Sequence, residues 1–324
     1  MEQKAMNEPT TLQEAIIYFA DPVNCREYLV ARRWPMGVTC PRCGSTDVLF
    51  LEKYNRWHCR AKHSAPQFTL KTGSIMEDSP ISLDKWLMAM WLVVNSKNGI
   101  SSYEIHRSIG VTQKTAWFLN HRIRLAFGLE PEEKLSGPVE MDETFIGGKI
   151  KNMHKNRKPK PLANRTKRLS GTIGKTIVVG MLERNGRVKA EVVMERTQAV
   201  LHELIHRNIA PGTTLITDEH GGYRGTSFEH QIINHANEYV RGQVHTNGIE
   251  NFWSLLKRGL NGTYVSVEPF HLFRYIDEQV YRYNNRKMND SQRFDLAVQG
   301  IIGKRLTFDE LTGKVSRSTE VRPF

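Results

Sequence analysis

Cysteine is scarce in this chain, with four in 324 residues. That is too few for a disulfide framework, so their spacing is read for metal first. Long hydrophobic runs are also missing. The longest, Trp86 to Val94, is nine residues between Lys85 and Asn95, whereas crossing a bilayer takes about 20. The opening Met1-Glu2-Gln3-Lys4 has no apolar segment of the kind that directs secretion. Acidic residues are the third shortage: 34 Asp plus Glu face 46 Lys plus Arg, a net charge of +12. Such an excess favours a polyanionic partner. With no amphipathic basic anchor or lipidation motif, nucleic acid is expected and a membrane is not. Hydrophobic residues at 39% and charged ones at 25% are ordinary globular values, which excludes a wholly disordered chain.

No internal repeat is present, and the text changes character along the chain. Residues 1–36 read as a helical lead-in and 37–72 as short strands around three of the cysteines. Residues 73–130 are a helical DNA-binding region, and 129–137 read as a linker. Residues 131–290 are mixed α/β, and 291–324 are a weakly patterned C-terminal tail. Within the fourth segment, strands are expected at Pro138–Gly147, Lys175–Arg184 and Arg187–Glu195. The last two are joined by Asn185-Gly186, a strong two-residue hairpin signal. A helix opened by a Thr197 cap is expected to Ile209, then a short strand Thr213–Thr217, another near Gln231–Asn234, and helices over His245–Leu260 and Pro269–Tyr283. This order fits an α/β fold with a mixed sheet flanked by helices, not an alternating doubly wound one.

Cys40-Pro41-Arg42-Cys43 is a tight C-x2-C knuckle with Gly44 behind it. Cys59 follows in strand-like text, with His63 four residues on and His58 as a competing fourth ligand. Two knuckles of this kind present S and N donors tetrahedrally to a structural Zn2+. The expected set is Cys40, Cys43, Cys59 and His63, and Cys25 is expected to be an inert helical residue. A unit of this size has little core of its own, so a metal staple is the better account of its folding.

Ser101 to Arg124 reads as helix, Gly110 turn and a second helix capped by Thr112, the helix-turn-helix layout. Gln113 and Lys114 open the second helix, where base edges are met, and His121, Arg122 and Arg124 close it. Gln113, Lys114, Arg122 and Arg124 are the expected DNA contacts there. A second basic stretch, Lys149 to Arg168, holds nine Lys or Arg and no acid. Its Lys155, Arg157 and Lys158 would collect phosphates in a salt-dependent way. Cations and aromatics also interleave from Arg274 to Arg286, a pattern suited to stacking on frayed DNA ends.

Three carboxylates complete the pattern. Alternation in Glu140–Phe145 puts Asp142 on one face with Glu140 and Thr144 and turns Glu143 away. Asp218 directly follows a short strand. Glu250 lies on a helix whose apolar stripe is Ile249, Phe252, Leu256 and Leu260 and whose polar stripe carries Asn247, Ser254 and Lys257. Phosphoryl transfer is served by two divalent ions about 3.5–4 Å apart, and Mg2+ asks only one or two carboxylates each. Asp142, Asp218 and Glu250 would suffice. Lys257 and Arg258 are placed to grip phosphate and Asn247 to orient water or substrate.

Taken in order, Cys40–Cys43, Thr72–Ile75, Lys114–Trp117, His121–Arg124, Met141–Gly148, Thr217–His220, His245–Arg258, His271–Glu278 and Tyr281–Arg286 resemble the zinc-ribbon group of DDE transposases from bacterial insertion sequences. The resemblance covers roughly residues 12–290. It implies a ribonuclease H-like catalytic domain, two Mg2+ or Mn2+ ions, and a triad of Asp142, Asp218 and Glu250. It further implies binding to terminal inverted repeats and target DNA, a homo-oligomer on that DNA, and a cytoplasmic, nucleoid-associated location. The second knuckle departs from the family's usual C-x2-C, and some relatives use Asn as the third catalytic residue, so Asn247 competes with Glu250. The rival readings are a zinc-ribbon, helix-turn-helix regulator whose ribonuclease H-like domain is inactive, and a nuclease that hydrolyses without strand transfer.

Overall fold

The computed structural model describes residues 8–128, 133–148, 174–232 and 247–315. They form two compact units, one from 8–128 together with 285–315 and one from the described residues between 133 and 284. The first begins with α1 (Leu12–Phe19), opened by a Thr11/Glu14 capping box, and α2 (Pro22–Arg33), opened by Asp21 with Pro at its first turn. Strands β1 (Val48–Leu51), β2 (Arg56–Cys59) and β3 (Gln67–Phe68) pair antiparallel in that order. Trp57 and Phe68 stack on one face of this small sheet, against Trp34. The nine-residue apolar run falls in α3 (Leu83–Asn95), most of which is buried. Among the described residues no helix is long and apolar enough to cross a membrane.

α4 (Ser102–Ile109) starts on a Ser101/Glu104 capping box and stops at Gly110, whose φ of +63° supplies the left-handed turn. Thr112 then caps α5 (Gln113–Ala126) by accepting from the Thr115 N–H. The helix-turn-helix layout is therefore built by the caps the sequence displays. The basic end of α5 is a correction: His121, Arg122 and Arg124 are buried. Their positions lie on the inward stripe of the helix. The Arg122 guanidinium donates to the Glu77 carbonyl and lies over Trp86 and Phe118. Neither Arg122 nor Arg124 presents the exposed cation expected for a DNA contact.

The second unit is built on β4 (Val139–Ile146), β5 (Thr176–Glu183), β6 (Val188–Val193), α6 (Gln198–Asn208), β7 (Thr214–Thr217) and β8 (Glu229–Ile232). The sheet order is β6-β5-β4-β7-β8, with β4, β5 and β6 antiparallel neighbours and β7 and β8 parallel to β4. This mixed five-stranded sheet is a ribonuclease H-like arrangement. One face packs α6 through Met141, Val179, Met181, Leu201 and Ile205. The other packs α7 (Asn247–Arg258) and α8 (Leu272–Asn284) through Val178, Leu182, Phe252, Trp253 and Ile276.

The Asn185-Gly186 hairpin forms, but not as a two-residue loop. The Glu183 N–H donates to the Arg187 carbonyl at 2.9 Å and only Asn185 takes a left-handed φ, +61°. Thr197 stands at the cap of α6 without its side chain making a capping bond. The Arg274–Arg286 pattern is mainly packing: Arg274, Tyr275 and Tyr281 are buried in α8, and Arg282 pairs with Glu278.

After α8 the chain returns to the first unit. α9 (Asp290–Gln299) inserts Phe294, fully buried, among Phe19, Tyr28 and Trp91, and α10 (Phe308–Leu311) packs on α5. The stretch expected as a tail is thus part of the N-terminal core through α9 and α10. Its short apolar pattern (Phe294, Ala297, Val298) is complete only against α2 and α3.

Gly180 shows how closely α7 sits on the sheet. It pairs with Asp142 across β4 and β5, and a Cβ there would lie 2.6 Å from the Trp253 ring and 2.8 Å from Ile249. Gly180→Ala is expected to destabilise the protein by about 1–3 kcal/mol, read as a lower denaturant midpoint at unchanged slope.

Candidate functional site

The catalytic candidates gather where β7 runs out beside β4. The parallel register Val139↔Leu215, Glu140↔Ile216 brings Asp218, one residue past β7, level with Asp142. One ligand oxygen each from Asp142, Glu143 and Asp218 lies within 4.8 Å of the others. Glu143 was expected to turn away. Alternation does send it toward the α6 side, where it meets His220 and Tyr223. But the β4–β7 ladder has ended at that level, so carboxylates from both faces of β4 converge around Asp218. The adjacent Asp142-Glu143 pair was the available signal, and alternation alone discarded it.

Helix α7 is tied to this corner by two side chains of β4. Glu140 Oε2 accepts the Ile249 N–H at 3.0 Å, and its carboxylate is ion-paired with Arg184. A carboxylate at a helix N-terminus satisfies an orphan donor and complements the helix dipole. One turn on, Trp253 Nε1 donates to Asp142 Oδ2 at 3.0 Å. Glu250 is exposed in the first turn of α7 and is not among the three carboxylates that meet within 4.8 Å. Asn247, Ser254, Lys257 and Arg258 are exposed on the same helix, and Ile249, Phe252, Leu256 and Leu260 are buried, as the stripe predicts.

Crowding shows in the protonation equilibria. Burial first, then the charges of Asp218 and Glu250, push the Asp142 carboxyl above its ordinary range, against lowering bonds from the Glu143 and Trp253 N–H groups. Burial and then the Asp218 charge push Glu143 up to about 7. Its side chain is 2% exposed, its Oε1 has no hydrogen-bond partner, and the nearest cationic candidate, His220 Nδ1, is 3.8 Å away. That imidazole is held neutral: burial and then Arg196 lower it, and its Nδ1 accepts the Gly222 N–H. The folded state therefore resists full ionisation of Asp142 and Glu143, and their contribution to stability falls as pH rises toward 7. A divalent cation would reverse that sign. Buried, close-set, under-compensated oxygens of this kind fit a hard metal.

In the other unit, Cys40, Cys43, Cys59 and His63 each place one donor atom within 4.8 Å of the rest. Cys43 and Cys59 Sγ are 3.7 Å apart, and Cys40 Sγ is 3.6 Å from His63 Nε2. Tetrahedral zinc with S and N ligands has edges of about 3.5–3.8 Å, so the spacing fits. The His63 Nδ1 sits 2.7 Å from the Ser64 carbonyl, which leaves Nε2 toward the sulfurs. His58 belongs to β2 and alternates away from Trp57 and Cys59. Gly44, at φ +73°, turns the knuckle so that its N–H reaches the Cys40 carbonyl. Burial raises the Cys40 thiol, yet the Arg42 and Cys43 N–H groups and neighbouring thiols outweigh it and bring it down to about 7. Cys25, by contrast, is wholly buried and pushed up to about 12 by burial.

Of the expected DNA contacts, Lys114 is exposed at the start of α5, and Gln113 is half-buried with its amide on Ser102. Lys155, Arg157 and Lys158 lie outside the described residues.

Residues 134–284 match the ISXO2-like transposase domain, and residues 21–61 match the transposase zinc-ribbon domain. A protein of transposable element ISH50 from Halobacterium salinarum, described as uncharacterized, is 27% identical over 240 residues, 71% of this chain and 80% of its own length. That relative is archaeal, so it supports the element and not a bacterial source. A structure of the simian T-cell lymphotropic virus intasome in complex with PP2A regulatory subunit B56 gamma is 14% identical. It covers 59% of this chain and 65%, under two thirds, of that one, and its TM-score of 0.27 is too low to carry an argument.

Proposed function

We propose, from the premise that this chain belongs to the zinc-ribbon DDE transposases of insertion elements, that it cuts DNA at its element's ends and joins the freed 3′-hydroxyl to target DNA. The observation that supports this reading best is the meeting of Asp142, Glu143 and Asp218 oxygens within 4.8 Å, beneath a helix that carries Glu250. Asp142 and Asp218 are the residues to hold Mg2+ or Mn2+, joined by Glu250 from α7. Divalent ions bound there would supply positive charge for the attacking and leaving oxygens of an in-line displacement.

The chain's own groups do the positioning. Trp253 fixes one oxygen of Asp142 by donating to its Oδ2. Lys257 and Arg258, exposed at the far end of α7, hold DNA phosphates. Asn247 orients the attacking water or the 3′-hydroxyl. Strand transfer repeats the displacement with a DNA hydroxyl in place of water, so no covalent protein intermediate is needed. The zinc ribbon and α4–α5 hold the terminal inverted repeats, and joining two ends calls for a homo-oligomer on DNA.

The test is a labelled duplex with a pre-cleaved 3′ end, incubated with full-length protein, Mn2+ and a target plasmid. A joined product is expected. Shortened label without joining would reduce the activity to hydrolysis, and binding without either product would leave the DNA-binding regulator.

A further inference from the structure

A cavity of about 280 Å³ opens in the N-terminal unit beside the N-terminal half of α5. Trp86, Phe118 and Phe308 give it aromatic walls, and Lys114, Arg122 and Asp78 give it charge. The rings are held in place: Trp86 Nε1 donates to Ser79 Oγ at 3.1 Å, and Phe118 and Phe308 meet edge to face at 5.7 Å. Lys114 Nζ stands 4.8 Å over Phe308, and the Arg122 guanidinium 5.1 Å over Phe118.

The charge inside is unbalanced. Asp78 is engaged by Arg305. Lys114 has no acidic partner among the described residues. Arg122 is 5% exposed, its Nη2 spends itself on a backbone carbonyl, and its Nε has no partner. Burial pushes this guanidinium down to about 10, with Asp78 and Glu77 acting against the shift. Two cations beside three aromatic rings suit a flat π-system that carries a negative group.

The helix that forms this wall is also the second helix of the helix-turn-helix, with Lys114 exposed at its N-terminal end, where a recognition helix would meet DNA. We propose that the cavity receives one unpaired nucleotide from DNA lying along α5, its base against Phe118 and Phe308 and its phosphate against the exposed Lys114. The volume is at the small end of ligand sites, about 300–1,000 Å³, which suits one base and excludes a stack. A nucleotide already unpaired or mismatched enters most cheaply. The site would thus favour DNA distorted or frayed near the bound repeat. The inference rests on the DNA-binding reading, and the control duplex below separates the two.

The test uses full-length protein and a duplex carrying a one-base bulge of 2-aminopurine, beside the same duplex fully paired. Binding to the bulged duplex is expected to be about tenfold tighter, with the bulged base's fluorescence quenched by stacking. Phe308→Ala should remove both the preference and the quench while leaving binding to the paired duplex within about twofold. Thr115→Phe, which fills the cavity without truncating a packed ring, should likewise remove the preference and the quench. Equal affinity for both duplexes, or a quench that survives both variants, would overturn the proposal. So would free deoxyadenosine monophosphate binding as tightly as the bulged duplex, which would mark a small-molecule site. No binding to either duplex would instead count against the DNA-binding reading.

Discussion

Asp142→Asn is expected to lower Mn2+-dependent DNA cleavage and joining at least about a thousandfold, the scale on which an essential catalytic group is lost. Binding to terminal DNA should be nearly unchanged. The amide keeps the shape and can still accept from Trp253 Nε1, so the helix tie at 3.0 Å is preserved. What disappears is a negative oxygen, and with it the hold on a cation. The fold should also gain stability at neutral pH. Asp142 carries a raised pKa in the folded state, chiefly through burial and then the charges of Asp218 and Glu250, so its ionisation opposes folding above the unfolded value. An inactive variant with a higher melting temperature separates loss of chemistry from loss of structure. Activity within tenfold of the parent would remove Asp142 from the catalytic set.

Cys59→Ser is expected to abolish zinc retention, measured as a fall from about one zinc per chain to near none. Structural zinc contributes about 10–16 kcal/mol in small finger peptides, more than a three-stranded sheet with Trp34, Trp57 and Phe68 as its main core can replace. The variant should lose the near-ultraviolet signal of those stacked rings and bind terminal DNA at least about tenfold more weakly. His58→Ala, on the opposite face of β2, should keep its zinc. Parent protein that is metal-free and yet fully folded would refute the zinc assignment.

What the sequence shows well here is local. The Thr112 cap makes the bond its position announces, the Thr197 cap makes none, and the apolar stripe of α7 is buried as written. What it hides depends on partners far away in the chain. Arg122 and Arg124 look like solvent-facing cations until α3 and the rest of the unit close over α5. Glu143 looks misdirected until β7 is seen to stop one residue before Asp218. Phe294 looks like an isolated aromatic because its neighbours, Phe19 and Tyr28, are more than 260 residues earlier.

That last separation has a consequence for synthesis on the ribosome. The N-terminal helices lack α9 until the whole second unit has been translated, a wait of about 8–30 s at roughly 5–20 residues per second. During that interval a hydrophobic slot between α2 and α3 stays unfilled. A message cut short within the second unit would therefore yield a nascent fragment with a defective core, so that only copies translated past α9 fill it.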